Sequence, residues 1–311
     1  SASQNLFTDP YEAEKALESE LNHVVKMQSL SDVPLGAFLS GGVDSSAIVA
    51  LMQNQSSKPI KTFTIGFEDP EFDESPFAAD VAKHLGTDHT ELTVTAKDAQ
   101  SIIPKLPHLY DEPFADYSQI PTYFVCKAAK QEVTVSLSGD AGDELFGGYN
   151  RYLIAPLLWK KIRWLPNFIR MLFGKLITSI PISAWDALHL LFINFKKEKL
   201  FNQFGDKVHK FGNRMAEVNS EEDLFLHLTT ESNSRNIVLN SDLLASDLKP
   251  AFLNDPLPEN GLKDFASSMM YKDTLNYLTD DILCKVDRAS MGVSLETRVP
   301  FLDHKIVELA W

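Results

Sequence analysis

Two adjacent glycines, set between a strand-length apolar run and a buried helix, constrain this chain more than any other feature. Val33 to Leu39 is short and mostly apolar, Ala47 to Met52 reads as a buried helix, and Ser40-Gly41-Gly42-Val43-Asp44-Ser45-Ser46 joins them. A strand that feeds a helix through glycines offers an anion free backbone N–H groups and the positive end of the helix dipole. The pattern is that of a phosphate loop in an α/β sheet. No Lys follows the glycines, which excludes a Walker A loop, and the third glycine of a dinucleotide fingerprint is missing. Asp44 is out of place among phosphate-binding amides unless a cation lies between. Magnesium takes few protein carboxylates plus phosphate oxygens, and Asp44 suits it as a ligand. The alternative is plain capping, for which Asp44, Ser45 and Ser46 are all good residues.

Strand and helix patterns alternate around this loop. Asp9 to Leu30 reads as a helix with Leu17, Leu21, Val24 and Val25 on one stripe. Ile60 to Phe67 is a second strand, followed by a helix from Phe72-Asp73-Glu74-Ser75-Pro76 to Gly86, capped by Asp73 or Ser75. His89 to Thr95 alternates as a third strand, and a helix from Gln119 to Gln131 leads to Val133–Leu137, a fourth. Ser138 to Asp143 is then a second strand-to-helix loop. Parallel strands place both loops at one edge of the sheet, where α/β ligand crevices form, so Asp143 could join Asp44 at one cation. Asp140 and Asp143 also suit the capping and acidic first turn of the next helix. Asp111 to Ser118 packs three carboxylates and two aromatics into a turn-rich loop, a plausible polar pocket wall.

From Tyr152 to about Phe195 the chain turns to long helical stretches whose Trp and Phe stripes read as core. Lys196 to Lys199 reads as a solvated turn, Glu217 to Asn260 is polar and uninformative, and Asp264 to Thr279 is another helix. Asp287, Arg288, Glu296 and Arg298 are read as an ion-pair network that locks the last segment to the site edge. The expected architecture is a doubly wound parallel sheet with helices on both faces, followed by a helical subdomain. Residues 1–30 form a packing helix, 31–151 the nucleotide core, and 152–311 the helical remainder.

Charge and composition narrow the function. A formal net charge of −14 argues against a nucleic-acid surface. Cys126 and Cys284 show no pairing pattern and read as reduced, buried core residues of a cytoplasmic protein. With no signal peptide and no long apolar run, nothing points to export or to a membrane.

Ser40 to Ser45 resembles the pyrophosphate-binding loop of the ATP pyrophosphatases. With Leu137 to Tyr149 (Leu-Ser-Gly-Asp-Ala-Gly-Asp-Glu-Leu-Phe-Gly-Gly-Tyr) and Leu295 to Asp303 (Leu-Glu-Thr-Arg-Val-Pro-Phe-Leu-Asp), in that order, the chain resembles the synthetase domain of glutamine-hydrolysing asparagine synthetases. The resemblance implies an adenine nucleotide alpha hydrolase-like fold that uses ATP and Mg2+. It implies that Ser40, Gly41, Gly42, Asp44, Ser45 and Ser46 meet the pyrophosphate, that Ser138 and Gly139 contact the nucleotide through backbone, and that Leu39 and Ile65 lie against the base. Both of the last pair are equally well explained as core strand residues. It makes Asp44 and Asp143 the metal ligands, and makes Asp140, where many relatives carry Glu, the residue that serves adenylation. Asp at this place also occurs in bacterial relatives. The implied reaction adenylates the side-chain carboxylate of aspartate, or a similar carboxylate substrate, and amidates it with ammonia. A homodimer is compatible with it.

Two departures matter. The family's N-terminal glutaminase domain opens with a nucleophilic Cys, yet no Cys precedes Cys126, and the family's catalytic Lys would fall beyond Trp311. The expectation is therefore a synthetase fragment without its ammonia source, turning over poorly. Near the amino-acid substrate, Tyr117 or a neighbour stands where some relatives carry Arg, which leaves open a related amidotransferase acting on another carboxylate. A tRNA-modifying relative would need a basic face, and a non-catalytic nucleotide-binding module would not need Asp44 and Asp143.

Overall fold

The computed structural model describes residues 7, 9–70, 73–196, 204–229, 262 and 264–311. Phe72, the charge run at 197–199 and the polar stretch beyond Thr229 lie outside the described residues. In chain order the elements are α1 (Pro10–Gln28), β1 (Leu35–Phe38), α2 (Val43–Gln55), β2 (Lys61–Phe67), α3 (Ser75–Leu85) and β3 (Asp88–Val94). Short helices α4 (Ala96–Ile102) and α5 (Leu106–Tyr110) precede α6 (Gln119–Lys130), β4 (Val135–Leu137) and α7 (Gly142–Phe146). A helical run follows: α8 (Asn150–Ile162), α9 (Asn167–Ser179), α10 (Ile182–Lys196), α11 (Phe204–Glu217) and α12 (Glu221–Thr229). The chain closes with α13 (Phe265–Leu275), a π-helical turn (Tyr277–Leu283), α14 (Cys284–Met291), β5 (Glu296–Arg298) and α15 (His304–Ala310).

Five parallel strands lie in the order β3-β2-β1-β4-β5. The chain starts at the central strand, winds outward through β2 and β3, then returns to the other side of β1 with β4. Strand order therefore reverses between β1 and β4, the switch point at which doubly wound sheets open a ligand crevice. Ala37 pairs with Thr62 on one side and Leu137 on the other, so the strands beside that crevice end level with each other. Both faces are covered. Ala37, Leu39 and Leu137 share one core with Val24 and Val25 of α1 and Ile48 and Val49 of α2. Phe63 packs in a second core with Cys126 and Ala129 of α6.

The sequence reading missed β5. Glu296-Thr297-Arg298 has neither the length nor the apolar alternation of a strand, and it becomes one only by pairing with Val135, Ser136 and Leu137. The proposed network of Asp287, Arg288, Glu296 and Arg298 is also replaced by separate attachments. Arg298 pairs with Glu296 at 2.7 Å and donates to the carbonyls of Gln28 (2.7 Å) and Leu30 (2.9 Å), closing the C-terminal end of α1. Arg288 pairs instead with Glu112 at 3.0 Å and donates to the Tyr110 carbonyl. Cys126 is buried, whereas Cys284 is partly exposed, and both thiols are free.

The described residues fall into two compact units: one runs to Gly148 and resumes at Met270–Trp311, the other begins at Tyr149. In the second unit α9 packs on α11, with Ile177 and Thr178 against Gly212 and His209 Nε2 2.6 Å from the Ile180 carbonyl oxygen. The expectation that the Trp and Phe stripes form core is corrected here. Trp164 is 72% exposed and Phe168 70%, while α9 buries Arg170 and Gly174. Helical periodicity locates an apolar stripe but does not determine which side the neighbouring helix covers.

Candidate active site

The first loop leaves β1 at Leu39, whose amide donates to Phe63 O at 2.9 Å and whose side chain is buried in the core. Any contact Leu39 makes outward is therefore through its backbone. Gly41 adopts φ +81°, and a Cβ there would lie 2.7 Å from the Phe77 Cβ, so only glycine passes this turn without strain. The loop closes on the Ser45 hydroxyl, which accepts from Ser40 N (3.2 Å), lies 2.9 Å from Ser40 Oγ and donates to Gly42 O (3.3 Å). The hydroxyls of Ser40 and Ser45 thus hold the loop in shape, while Ser46 Oγ is buried without a hydrogen-bond partner. The first helical bond of α2 runs from Ser46 N to Gly42 O at 3.1 Å. The amides of Val43, Asp44 and Ser45 precede it at the positive end of the helix.

The second loop is laid directly on the first. A Cβ at Gly139 would lie 2.6 Å from Ser45 N, and one at Gly142 would lie 2.5 Å from Asp44 Cγ. Glycine at both positions is what lets the two loops meet. Ser138 N donates to Arg298 O at 2.8 Å, so the strand missed from sequence fixes where this loop begins. Its hydroxyl donates to Asp140 Oδ2, and Ala141 then turns through φ +71° into α7, which carries Asp143. A left-handed alanine costs about 1 kcal/mol, and the buried side chain of Ala141 holds the turn in place.

Asp140 and Asp143 lie near enough to Asp44 for their charges to act on it, although the Asp143 carboxylate itself is turned against Gly148. Burial, then the charges of Asp143 and Asp140, pushes the Asp44 carboxyl up to about 6. Burial likewise raises Asp140, against the Ser138 hydrogen bond and the charge of Lys285; the residue keeps some exposed surface but its carboxyl is enclosed. Clustered acids of this kind are held apart from their ordinary ionisation until a cation joins them. Among the described residues no group of three or more His, Cys, Asp or Glu is arranged to hold a metal by itself. A cation here would take its remaining oxygens from a ligand, which is the habit of magnesium beside phosphates. The donor set and the unpartnered Ser46 hydroxyl fit a magnesium–nucleotide pair.

Ile65 lies on β2 two residues past Phe63, where β2 runs beyond the end of β1, and is half-buried against Val94, Ile102 and Phe124. Asp73 Oδ1 accepts from Phe67 N (3.3 Å) and Ser75 N (3.1 Å), but α3 has its N-cap at Glu74 with no side-chain cap, so the expected cap by Asp73 or Ser75 is corrected here. In the 111–118 loop, Tyr117 is 80% exposed and Asp116 is anchored. Buried Lys285 of α14 donates to Asp116 Oδ2 at 2.9 Å and to Ser118 Oγ at 2.8 Å. Burial opposes ionisation of Asp116, yet the Ser118 and Lys285 hydrogen bonds overcome it and hold the acid below its ordinary range. The sequence reading passed over Lys285. Its signal was position: it lies three residues after Ile282 and four before Ala289, on the buried stripe of its helix.

A five-stranded parallel sheet flanked by helices, with a glycine loop at its switch point and acids on the facing loop, defines a doubly wound α/β domain. The sequence matches the asparagine synthase family over residues 16–311, and the chain belongs to that family. It is 32% identical over 297 residues to asparagine synthetase 1 (glutamine-hydrolyzing) of Bacillus subtilis, covering 95% of this chain and 43% of that protein. A putative asparagine synthetase 2 (glutamine-hydrolyzing) of Methanocaldococcus jannaschii is 34% identical over 299 residues, 94% of this chain and 52% of its own length. Asparagine synthetase B of Escherichia coli matches over 167 residues at 32% identity, 48% of this chain. The chain spans about half the length of the first two relatives. Among the described residues, no helix is long and apolar enough to cross a membrane.

Proposed function

We propose that this chain is the ATP-using synthetase part of an asparagine synthetase, a cytoplasmic carbon–nitrogen ligase that adenylates the side-chain carboxylate of aspartate and passes it to ammonia. The observation that carries this reading is the meeting of the two loops, where Gly139 and Gly142 lie against Ser45 and Asp44, so that Asp140 and Asp143 act on Asp44 through their charge. Residues 31–151 supply the nucleotide core in this reading, residues 1–30 pack on it, and residues 152–311 complete the domain. Ammonia comes from a glutaminase domain of the kind that the names of the relatives imply.

A carboxylate is a poor acyl donor at neutral pH, which is why ATP is consumed. The amides of Val43, Asp44 and Ser45, with the Ser46 hydroxyl, receive the pyrophosphate, so the loop stabilises charge on the leaving group as it develops. Asp44 and Asp143 would hold magnesium, which neutralises that charge when bound. Asp140, enclosed and steered by Ser138, faces the reacting end and orients the substrate as the adenylate forms. Leu39 and Ser138–Gly139 contact the nucleotide through backbone, and Ile65 borders the base. A second reading, a related amidotransferase acting on another carboxylate, draws support from the substrate-side loop, where Tyr117 is exposed and Asp116 is tied to Lys285.

Pyrophosphate release with ATP, magnesium and ammonia, assayed across a panel of carboxylates on the full-length protein, tests both. Release with aspartate, with asparagine formed, is the expected result. Release with a different carboxylate alone would favour the second reading. ATP binding without release would leave a binding module.

A further inference from the structure

Helices α8 and α9 each turn an apolar stripe outward. On α8 and the turn after it, Leu153, Ile154, Leu157, Lys160, Lys161 and Trp164 are exposed, at the spacing i, i+1, i+4, i+7, i+8 and i+11. On α9 the exposed stripe is Phe168, Met171, Leu172, Lys175 and Leu176, while the opposite side carries buried Arg170 and Gly174 and the residues that meet α11. Each spacing lays its residues along one side of a helix. Each stripe is more than the single scattered hydrophobes a protein surface carries.

Within the α8–α9 segment the charge is one-sided. Between Glu144 and Asp186 the sequence has no acidic residue, yet holds Arg151, Lys160, Lys161, Arg163, Arg170 and Lys175, in a chain whose net charge is −14. Lys160, Lys161, Arg163 and Lys175 are exposed among the apolar side chains. A second copy of the same two helices would set these cations against one another, and neither helix carries an acid to answer them, although α12, which packs on α8, has Glu221, Glu222 and Asp223 in its first turn. An anionic lipid surface satisfies both halves of the pattern. Leu, Phe and Trp enter the headgroup boundary, and long Lys and Arg side chains reach past them to the phosphates.

We propose that α8 and α9 form a peripheral docking face for anionic lipid bilayers, on which the protein lies without crossing. The proposal is independent of the reaction assigned above.

Flotation of the full-length protein with phosphatidylcholine vesicles, with and without phosphatidylglycerol, tests it. The expected result is recovery with the anionic vesicles only, weakened at high salt. The triple variant Lys160→Glu/Lys161→Glu/Lys175→Glu should lower the bound fraction about tenfold or more, and Leu172→Ser/Leu176→Ser should lower it as well. All five positions are exposed, so circular dichroism and thermal unfolding should be unchanged in both variants. No recovery, equal recovery on neutral and anionic vesicles, or full binding by either variant would overturn the proposal. A concentration-dependent wild-type dimer abolished by Leu172→Ser/Leu176→Ser would assign the face to a second copy instead.

Discussion

The two units break the usual rule of burial in opposite directions. In the sheet unit the exceptions are charges held inside: Asp140 with its carboxyl enclosed, Asp44 half-buried beside it, and Lys285 under the 111–118 loop. In the helical unit the exceptions are apolar groups left outside, with Phe168, Leu172 and Leu176 in solvent and Arg170 buried behind them. Each departure is costly for the protein alone, since buried charge and exposed hydrocarbon both oppose folding. The contrast indicates what would complete each surface: a cation with an anionic ligand in the first case, an apolar and anionic layer in the second.

The sheet-unit side of this contrast can be broken most severely at Asp140. Asp140→Ala should lower amide formation about a hundredfold or more in the full-length protein while leaving ATP binding intact, because a repulsive carboxylate has been removed. Amide formation at the wild-type rate would take Asp140 out of the chemistry.

Lys285→Ala should cost about 3 kcal/mol of stability by denaturant titration, since it strands the nearly buried carboxylate of Asp116. Adding Asp116→Ala should restore part of that loss. If the two losses simply add, the pair is not the anchor of the loop.

A smaller effect separates function from stability. Asp44 has a folded-state value of about 6 against an ordinary 3.8, so the folded protein holds this proton more tightly than the unfolded chain. Stability contributed by Asp44 is therefore present below 3.8 and lost as pH rises to about 6. Asp44→Asn should stabilise the ligand-free protein by about 1 kcal/mol above neutral pH, after allowance for solvent screening of a half-exposed group. The gain should vanish in acid. A destabilised Asn variant at neutral pH would mean that the acids are not in conflict.

What could be read from sequence was local. The strand, two glycines and helix of the first loop are contiguous, and so are β4, Ser138–Gly139 and α7, so both strand-to-helix loops and the doubly wound order were legible. What escaped depended on distant partners. Glu296–Arg298 is a strand only because β4 lies beside it, and Lys285 is buried only because Asp116 and Ser118 close over it. The outward stripe of α9 was visible as a stripe, but its direction depends on α11.

The most direct test of the central claim is ATP affinity with and without magnesium, measured by calorimetry on the wild type and on Asp44→Ala. The account predicts that magnesium tightens ATP binding to the wild type and has no such effect on the variant. Magnesium-dependent affinity that survives unchanged in Asp44→Ala would contradict it.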